Sequence, residues 1–190
     1  MTTQSKEGQV NIAPMGPIVD AQMSKLILRP FTSSTTYRNL KATGEGVFHI
    51  TDDVLLLARG AIGKVTAGDT ESGAAIRPAD KVAGVVLTGA CRYYEFRVTS
   101  LDDSQQRTRI EVQVVGTQTL RPFIGFNRAK HAVLEAAILA TRLHLTGTGP
   151  VLIEYERLAS LVDKTGSQRE HQAMAELKSF VDAWVRPPAH

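Results

Sequence analysis

Hydrophobic and polar positions divide the chain into a part with strand-like alternation and a part with helical periodicity. The clearest alternation predicts an antiparallel hairpin between residues 90–100 and 109–116. Residues 9–20 are predicted to form a strand, a bend at the prolines and a second short strand. Further short strands are predicted over residues 25–28, 47–51 and 82–88. The polar residues 1–8 are predicted to be disordered, and the Gly- and Ala-rich residues 63–79 to form a surface loop.

Apolar residues recur at helical spacing from residue 128 onward. Helices are predicted over residues 128–145, 151–162 and 167–184, with Asn127 as the N-cap of the first. Pro187 and Pro188 are expected to end the last helix. One stripe of that helix is predicted to be core, and its members are Met174, Leu177, Val181 and Trp184. A shorter helix, residues 54–61, is predicted to lie across the core.

The order of elements is β-rich to about residue 118 and mostly helical afterwards. This order predicts an α+β fold, with a small antiparallel β-barrel and helices packed on it. The predicted division is a barrel portion, residues 1–118, and a mainly helical C-terminal portion, residues 119–190.

Residues 26–46 form the segment around which the other elements are arranged. A strand end is followed by Arg29, a proline and a run of hydroxyl residues, and then by a short helix that stops at Gly44. Ser34 or Thr35 is the expected N-cap. Free amides at a helix N-terminus, hydroxyls and a guanidinium together form a plausible anion site. The alternative is that the hydroxyls only cap the helix and that Arg29 is solvated.

Composition indicates an ordinary globular protein, with 43% apolar and 22% charged residues. The formal net charge is only +3, and the basic residues are scattered, which argues against nucleic-acid binding. No apolar run reaches the ~20 residues of a membrane span, and no signal-peptide core is present, so we expect a cytoplasmic protein. The lone Cys91 excludes an intramolecular disulfide and is expected to be a small buried residue.

No motif for covalent catalysis, nucleotide binding or metal ligation is present in the sequence. The five histidines, His49 among them, lack metal-ligand spacing to one another. The catalytic residues are therefore unknown, and no metal site is predicted. If the protein is an enzyme, we expect a bound cofactor to carry the difficult step.

Several short segments follow one another along the chain: residues 11–16 (NIAPMG), 28–31 (LRPF), 34–40 (STTYRNL), 126–131 (FNRAKH), 135–138 (EAAI) and 140–142 (ATR). Together and in this order they resemble the uncharacterised DUF447 family. That family is similar to the flavin-reductase-like FMN-binding split barrels, which include flavoredoxin and often carry an N-x-A-P and a later T-x-x-N segment. Here these segments are Asn11/Ala13/Pro14 and Thr36/Asn39.

The resemblance implies a six-stranded antiparallel split β-barrel and a homodimer that binds FMN near the subunit interface. It assigns backbone contacts with the isoalloxazine ring to Asn11, Ala13, Pro14 and Met15. The phosphate and ribityl chain are assigned to Arg29, Ser34, Thr35, Thr36 and Asn39, with Asn127 and Arg128 as additional residues at another helix N-terminus. His49 stands where related sequences are expected to have Asn.

The function that the resemblance implies is an FMN-dependent oxidoreductase. Electrons would come from NAD(P)H or from a protein donor and pass to a small organic acceptor. The alternative is a non-enzymatic flavin-binding carrier or sensor.

Overall fold

The computed structural model describes residues 1–185 and divides the chain into two compact units. The β-rich unit comprises Met1–Thr51 and Thr66–Pro122, and the helical unit comprises Asp52–Val65 and the chain from Phe123 onward. The predicted division was a single boundary after residue 118, whereas the structure assigns residues 52–65 to the helical unit. Each unit has its own apolar core.

The β-rich unit is built on a seven-stranded antiparallel sheet. Its strands are β1 (Thr2–Gln4), β2 (Val10–Ile12), β3 (Ile18–Val19), β4 (Lys25–Leu28), β5 (Glu45–Ile50), β8 (Arg92–Asp102) and β9 (Arg109–Thr119). A separate hairpin pairs β6 (Ile76–Pro78) with β7 (Val85–Leu87), inside and after the predicted loop. The spatial order of the large sheet is β2-β1-β5-β8-β9-β4-β3. The predicted antiparallel sheet and α+β class are confirmed.

Two apolar clusters form on the strands because their side chains alternate between faces. The larger cluster includes Phe96 and Ile110, and the smaller one includes Val47 and Tyr93. Gly46 lies against the Phe96 ring, and a Cβ atom here would lie 2.7 Å from that ring and 3.1 Å from the Thr2 carbonyl oxygen. A side chain at this position would therefore force the core apart.

Helix α1 (Thr35–Thr43) has the ends that the sequence predicted. The Ser34 hydroxyl accepts a hydrogen bond from the Tyr37 amide at 3.1 Å, and Gly44 takes a left-handed conformation with φ of 69°. Tyr37 and Leu40 pack into the larger apolar cluster. This burial fixes the N-terminus of α1 relative to the sheet.

The prediction of disorder at residues 1–8 is wrong for β1, which pairs with both β2 and β5. Thr2 and Thr3 are almost fully buried, and the Thr2 hydroxyl donates to the Val85 carbonyl at 2.6 Å. Polar side chains are stable here because their hydrogen bonds are satisfied by residues distant in sequence. The polar residues of this segment did not indicate that it would pair with distant parts of the chain.

The helical unit contains five helices among the described residues. They are α2 (Val54–Ala61), α3 (Arg128–Ala140), α4 (Leu143–Thr146), α5 (Thr148–Thr165) and α6 (Gln168–Val185). The predicted helix over 128–145 is interrupted after Ala140. The Thr141 hydroxyl donates to the Ile138 carbonyl, and the Arg142 amide bonds three residues back to Leu139, which tightens the last turn and ends the helix.

The core of the helical unit joins all five of these helices. Five alanines of α3 are buried and allow its backbone to approach its neighbours: Ala129, Ala132, Ala136, Ala137 and Ala140. The predicted α6 stripe is confirmed for Met174, Leu177 and Val181 but is wrong for Trp184, which is 55% exposed. Its position lies past the last turn that contacts the core. The predicted stop at Pro187 and Pro188 falls outside the described residues.

Candidate functional site

A buried polar network in the β-rich unit joins three of the predicted site residues. The Asn11 side-chain amide donates to the Thr36 hydroxyl at 3.1 Å and to the Thr3 hydroxyl at 3.3 Å. The Asn39 amide donates to the same Thr3 oxygen at 3.1 Å. The network therefore ties β1 and β2 to helix α1. Thr3 was missed from the sequence because it lies in the segment predicted to be disordered.

The backbone of the predicted segment 11–15 is only partly available to a ligand. Met1 and Ala13 exchange two hydrogen bonds, through the Met1 amine and the Ala13 amide. In the antiparallel ladder this places Ile12 between hydrogen-bonded pairs, so its amide and carbonyl point to the outer edge of β2. Pro14 is half-buried, and Met15 packs against the larger apolar cluster. Its amide makes no hydrogen bond to any described residue.

The N-terminus of α1 keeps two open amides. The Ser34 hydroxyl is used by the Tyr37 amide, and it donates in turn to the Phe31 carbonyl at 2.8 Å. Within residues 1–185, the amides of Thr35 and Thr36 have no hydrogen-bond partner. Arg29 is exposed, and its guanidinium forms no ion pair or hydrogen bond with the described residues. The two open amides lie at the positive end of the α1 dipole, where an anion is stabilised.

Arg38 is a second cation at this helix end, and we did not predict it. Its Nη1 donates to the Ser33 carbonyl at 2.6 Å and its Nη2 to the Thr35 hydroxyl at 2.8 Å. The guanidinium therefore bends back from the first turn of α1 over the loop that precedes it. The available signal was spacing, because Arg38 lies three residues after Thr35 and the two side chains share a helix face.

Asn127 and Arg128 lie in the helical unit. The Asn127 side chain accepts a hydrogen bond from the Lys130 amide at 3.0 Å and is the N-cap of α3, as predicted. Arg128 is exposed. The capping role accounts for the Asn127 side chain by itself.

His49 lies inside the β-rich unit and is 7% exposed. Its Nε2 accepts a hydrogen bond from the Leu87 amide at 3.0 Å, while Nδ1 is buried and has no hydrogen-bond partner among the residues that the structure describes. Burial lowers the pKa of His49 well below its ordinary value of 6.5, and the N-terminal amine lowers it further. The ring is therefore neutral at pH 7 and anchors β7 to β5.

Two further findings concern the described part of the chain. Residues 1–185 contain no group of three or more His, Cys, Asp or Glu side chains arranged to hold a metal ion. None of the helices in this range has the length and apolar character needed to cross a membrane. Cys91 is buried.

The fold is similar to that of several solved structures. An FMN-bound DUF447 protein from Methanosarcina mazei matches with a TM-score of 0.80 and 23% identity, over 94% of this chain and 91% of its own. Two others match with TM-scores of 0.51 and 17% identity over 62% of this chain. They are the 2-nitrobenzoate 2-nitroreductase NbaA of Pseudomonas fluorescens, covered over 61%, and nitrilotriacetate monooxygenase component B of Bacillus cereus, covered over 66%.

Sequence comparison gives a consistent result. Among proteins of curated function, none matches the chain significantly. Residues 1–121 match the family model described as "Protein of unknown function (DUF447) N-terminal domain", and residues 127–179 match the model described as "Protein of unknown function (DUF447)". These two matches cover most of the sequence in the expected order, and the chain belongs to the DUF447 family.

Proposed function

We propose that the protein is an FMN-binding flavoprotein of the split-barrel type and acts as an oxidoreductase. The observation that carries this proposal is the structural likeness, over nearly the whole chain, to a DUF447 protein with FMN bound. The antiparallel sheet and the helix α1 that follows β4 supply the elements that this fold needs. Closure of the seven strands into a barrel is part of the proposal.

The FMN phosphate fits the N-terminus of α1. The phosphate oxygens can accept hydrogen bonds from the Thr35 and Thr36 amides, which have no partner within residues 1–185. The guanidinium of Arg29 supplies one positive charge and that of Arg38 a second. Ser34 has the different task of capping the helix and so orienting these amides. Four favourable contributions to one phosphate, two from amides and two from guanidinium groups, are typical of phosphate sites.

The ribityl chain and ring fit the other side of the polar network. Asn11 donates to the Thr36 hydroxyl, and both Asn11 and Asn39 donate to the Thr3 hydroxyl, so the remaining polar atoms of these side chains are preorganised for hydroxyl groups. The outer edge of β2 at Ile12, followed by Pro14 and Met15, provides backbone groups and an apolar surface for a flat ring. Ala13 supports this surface through its two bonds to Met1.

Bound FMN would supply the electron transfer for which the chain shows no side-chain machinery. The electron donor is proposed to be NAD(P)H or a protein, and the acceptor a small organic molecule. The protein's own residues bind the phosphate, orient the ring and limit access of water. We also propose a homodimer, as the family resemblance implies.

FMN binding is tested by titrating FMN into the wild-type protein and into the double variant Arg29→Ala/Thr36→Ala. We expect bound flavin absorbance in the wild type and an affinity lower by about tenfold or more in the variant, because a charge-assisted contact and the network hydroxyl are lost. The control is Lys6→Ala/Thr99→Ala, which removes one exposed cation and one exposed threonine elsewhere in the unit, and circular dichroism checks that loss of the buried Thr36 hydroxyl leaves the fold intact. Equal affinity in all three proteins would remove α1 from the site, and no binding by the wild type would refute the proposal.

Turnover separates the oxidoreductase from a carrier or sensor. The FMN-loaded protein is mixed with NADH or NADPH and a panel of quinone, flavin and ferric acceptors. Oxidation of the nicotinamide that depends on loaded protein supports the enzyme. A protein that holds FMN tightly but is reduced by neither nicotinamide nor a reduced protein donor is a carrier.

A further inference from the structure

A cleft of about 360 Å³ opens on the β-rich unit beside the turn between β3 and β4. Its lining includes Met23, Ser24, Arg92, Tyr94, Val114 and Thr117. None of these residues belongs to the proposed FMN site. The volume lies at the lower end of the range of roughly 300–1,000 Å³ that is usual for small-molecule sites.

One wall of the cleft is a strained residue in a rigid turn. Met23 has a φ of 55°, a left-handed conformation that favours glycine. The Asp20 carboxylate holds the turn by accepting from the Ser24 amide at 2.7 Å and from the Lys25 amide at 3.1 Å. The Val114 amide donates to the Ser24 carbonyl and joins the turn to β9. A methionine in this place indicates that its side chain is needed, because glycine would relieve the strain.

The side chain of Met23 has a clear position. It packs against the larger apolar cluster together with Val114, and Tyr94 is a member of that cluster. Met23, Val114 and Tyr94 therefore give the cleft a continuous apolar lining. Such a surface suits the face of a small flat molecule.

The guanidinium of Arg92 adds a charge to this lining. The Arg92 guanidinium lies 5.2 Å from the centre of the Tyr94 ring, and its Nε donates to the Thr117 hydroxyl at 3.3 Å. Its two Nη groups make no hydrogen bond to the described residues. Two Nη groups side by side match the geometry of a carboxylate.

The charge balance of the cleft favours an anion. Within the described part of the chain, none of the lining residues is acidic. The nearby Asp20 carboxylate is already bonded to the backbone of the turn and to the Ser24 hydroxyl. Among the described lining residues, Arg92 is therefore the charged residue that can contact a ligand in the cleft.

We propose that this cleft binds a small planar organic anion of the aromatic carboxylate class. The carboxylate is held by the Nη groups of Arg92, and the ring lies against Met23 and Val114. The inference does not depend on FMN binding, so either one can fail without the other.

The probes are 2-naphthoate and its neutral counterpart 2-naphthamide, measured by titration calorimetry and by chemical-shift mapping of backbone amides. We expect the wild type to bind 2-naphthoate with an affinity about tenfold higher than that for 2-naphthamide, which is the effect of one charge-assisted contact. Arg92→Gln should bind the two probes with equal affinity, because this contact is lost. Arg107→Gln is the matched control, since Arg107 also lies 5.2 Å from an aromatic ring, that of Phe31, but outside the cleft. Met23→Gly should weaken both probes.

Three results would overturn the proposal. The first is equal or absent binding of the two probes by the wild type. The second is unchanged binding by Arg92→Gln, or shifts that fall outside residues 21–24, 92–94 and 114–117. The third is loss of 2-naphthoate binding when FMN is added at saturation, which would assign the cleft to the flavin.

Discussion

Ion pairs in the helical unit contrast with two polar groups of the β-rich unit that lack a hydrogen-bond partner among the described residues. In the helical unit, Lys130 and Glu170 form an ion pair at 2.8 Å, and Glu170 also accepts from the Ser167 amide and hydroxyl. A second pair joins Arg59 and Glu176 through two hydrogen bonds. In the β-rich unit, Nδ1 of the buried His49 and the Nη groups of the exposed Arg92 have no hydrogen-bond partner among residues 1–185.

The difference indicates which unit has polar groups available for hydrogen bonds with a ligand. Paired, hydrogen-bonded ions in the helical unit fix one arrangement of its helices. Unsatisfied polar groups and a methionine in the left-handed conformation lower the stability of the fold. Such features are typically retained at functional sites. The β-rich unit contains both the proposed FMN site and the proposed anion cleft. Three substitutions test this contrast.

The largest effect is expected for Glu170→Gln in the helical unit. Burial opposes ionisation of this carboxyl, but Lys130 and Ser167 outweigh it and lower its pKa from 4.5 to about 2. The variant leaves the Lys130 charge without its partner, and we expect it to lose about 3 kcal/mol of unfolding free energy at pH 7. Thermal and denaturant unfolding measure the loss, while FMN affinity should not change.

The pH dependence of the unfolding free energy provides a second test of the role of Glu170. Because its pKa is lower in the folded state, the stabilisation is present above about pH 4.5 and is lost as the pH falls toward 2. Glu170→Gln should lack this component. The control is Glu154→Gln, which removes an exposed partner of Arg157 on α5. An effect of Glu154→Gln as large as that of Glu170→Gln would contradict the role of burial.

A smaller effect is expected for Thr3→Val in the β-rich unit. Valine keeps the shape but removes the acceptor shared by Asn11 and Asn39, so we expect a loss of about 2 kcal/mol. FMN affinity should fall as well, because the two amides lose their fixed orientation. Thr3→Ser retains the hydroxyl and should restore most of both quantities. Reduced stability with unchanged FMN affinity would show that the network is only structural.

The smallest effect concerns His49 and pH. Its folded-state pKa is lowered, so the unfolded chain binds a proton below about pH 6.5 while the folded ring stays neutral. Protection of the Leu87 amide from hydrogen exchange should therefore fall by about 1 kcal/mol between pH 7 and 5.5. His49→Gln keeps an acceptor but does not titrate, and its protection should be flat in this range. A flat wild-type profile would argue against a neutral buried histidine.

Local signals were sufficient to predict much of the fold. Helix α1 was predicted from Ser34 and Gly44, because capping depends on residues within one turn. The β8–β9 hairpin and the buried side of α6 followed from periodicity in the same way. Strand β1 forms because it pairs with strands that are distant in sequence. Trp184 is exposed because no described element packs on it. No local pattern reports those.

The candidate site was predictable only in part for the same reason. Asn11, Thr36 and Asn39 were singled out through family resemblance, and the structure places them in one network. Thr3, which joins them, belongs to a segment with no apolar alternation. The conformation of Met23 and the stacking of Arg92 on Tyr94 arise from the turn and from cross-strand geometry, which the sequence does not display.

The assignment of α2 to the helical unit has a consequence for how the protein is made. Val54, Leu55 and Ala58 belong to the core that α3 and α6 complete, and these partners are synthesised roughly 70 to 120 residues later. Until then the apolar face of α2 has no permanent partner, which is the condition under which nascent chains aggregate or recruit chaperones. A fragment that begins at residue 119 would lack this helix. Expression of the helical unit by itself therefore requires that residues 52–65 be supplied, in the same chain or as a separate peptide.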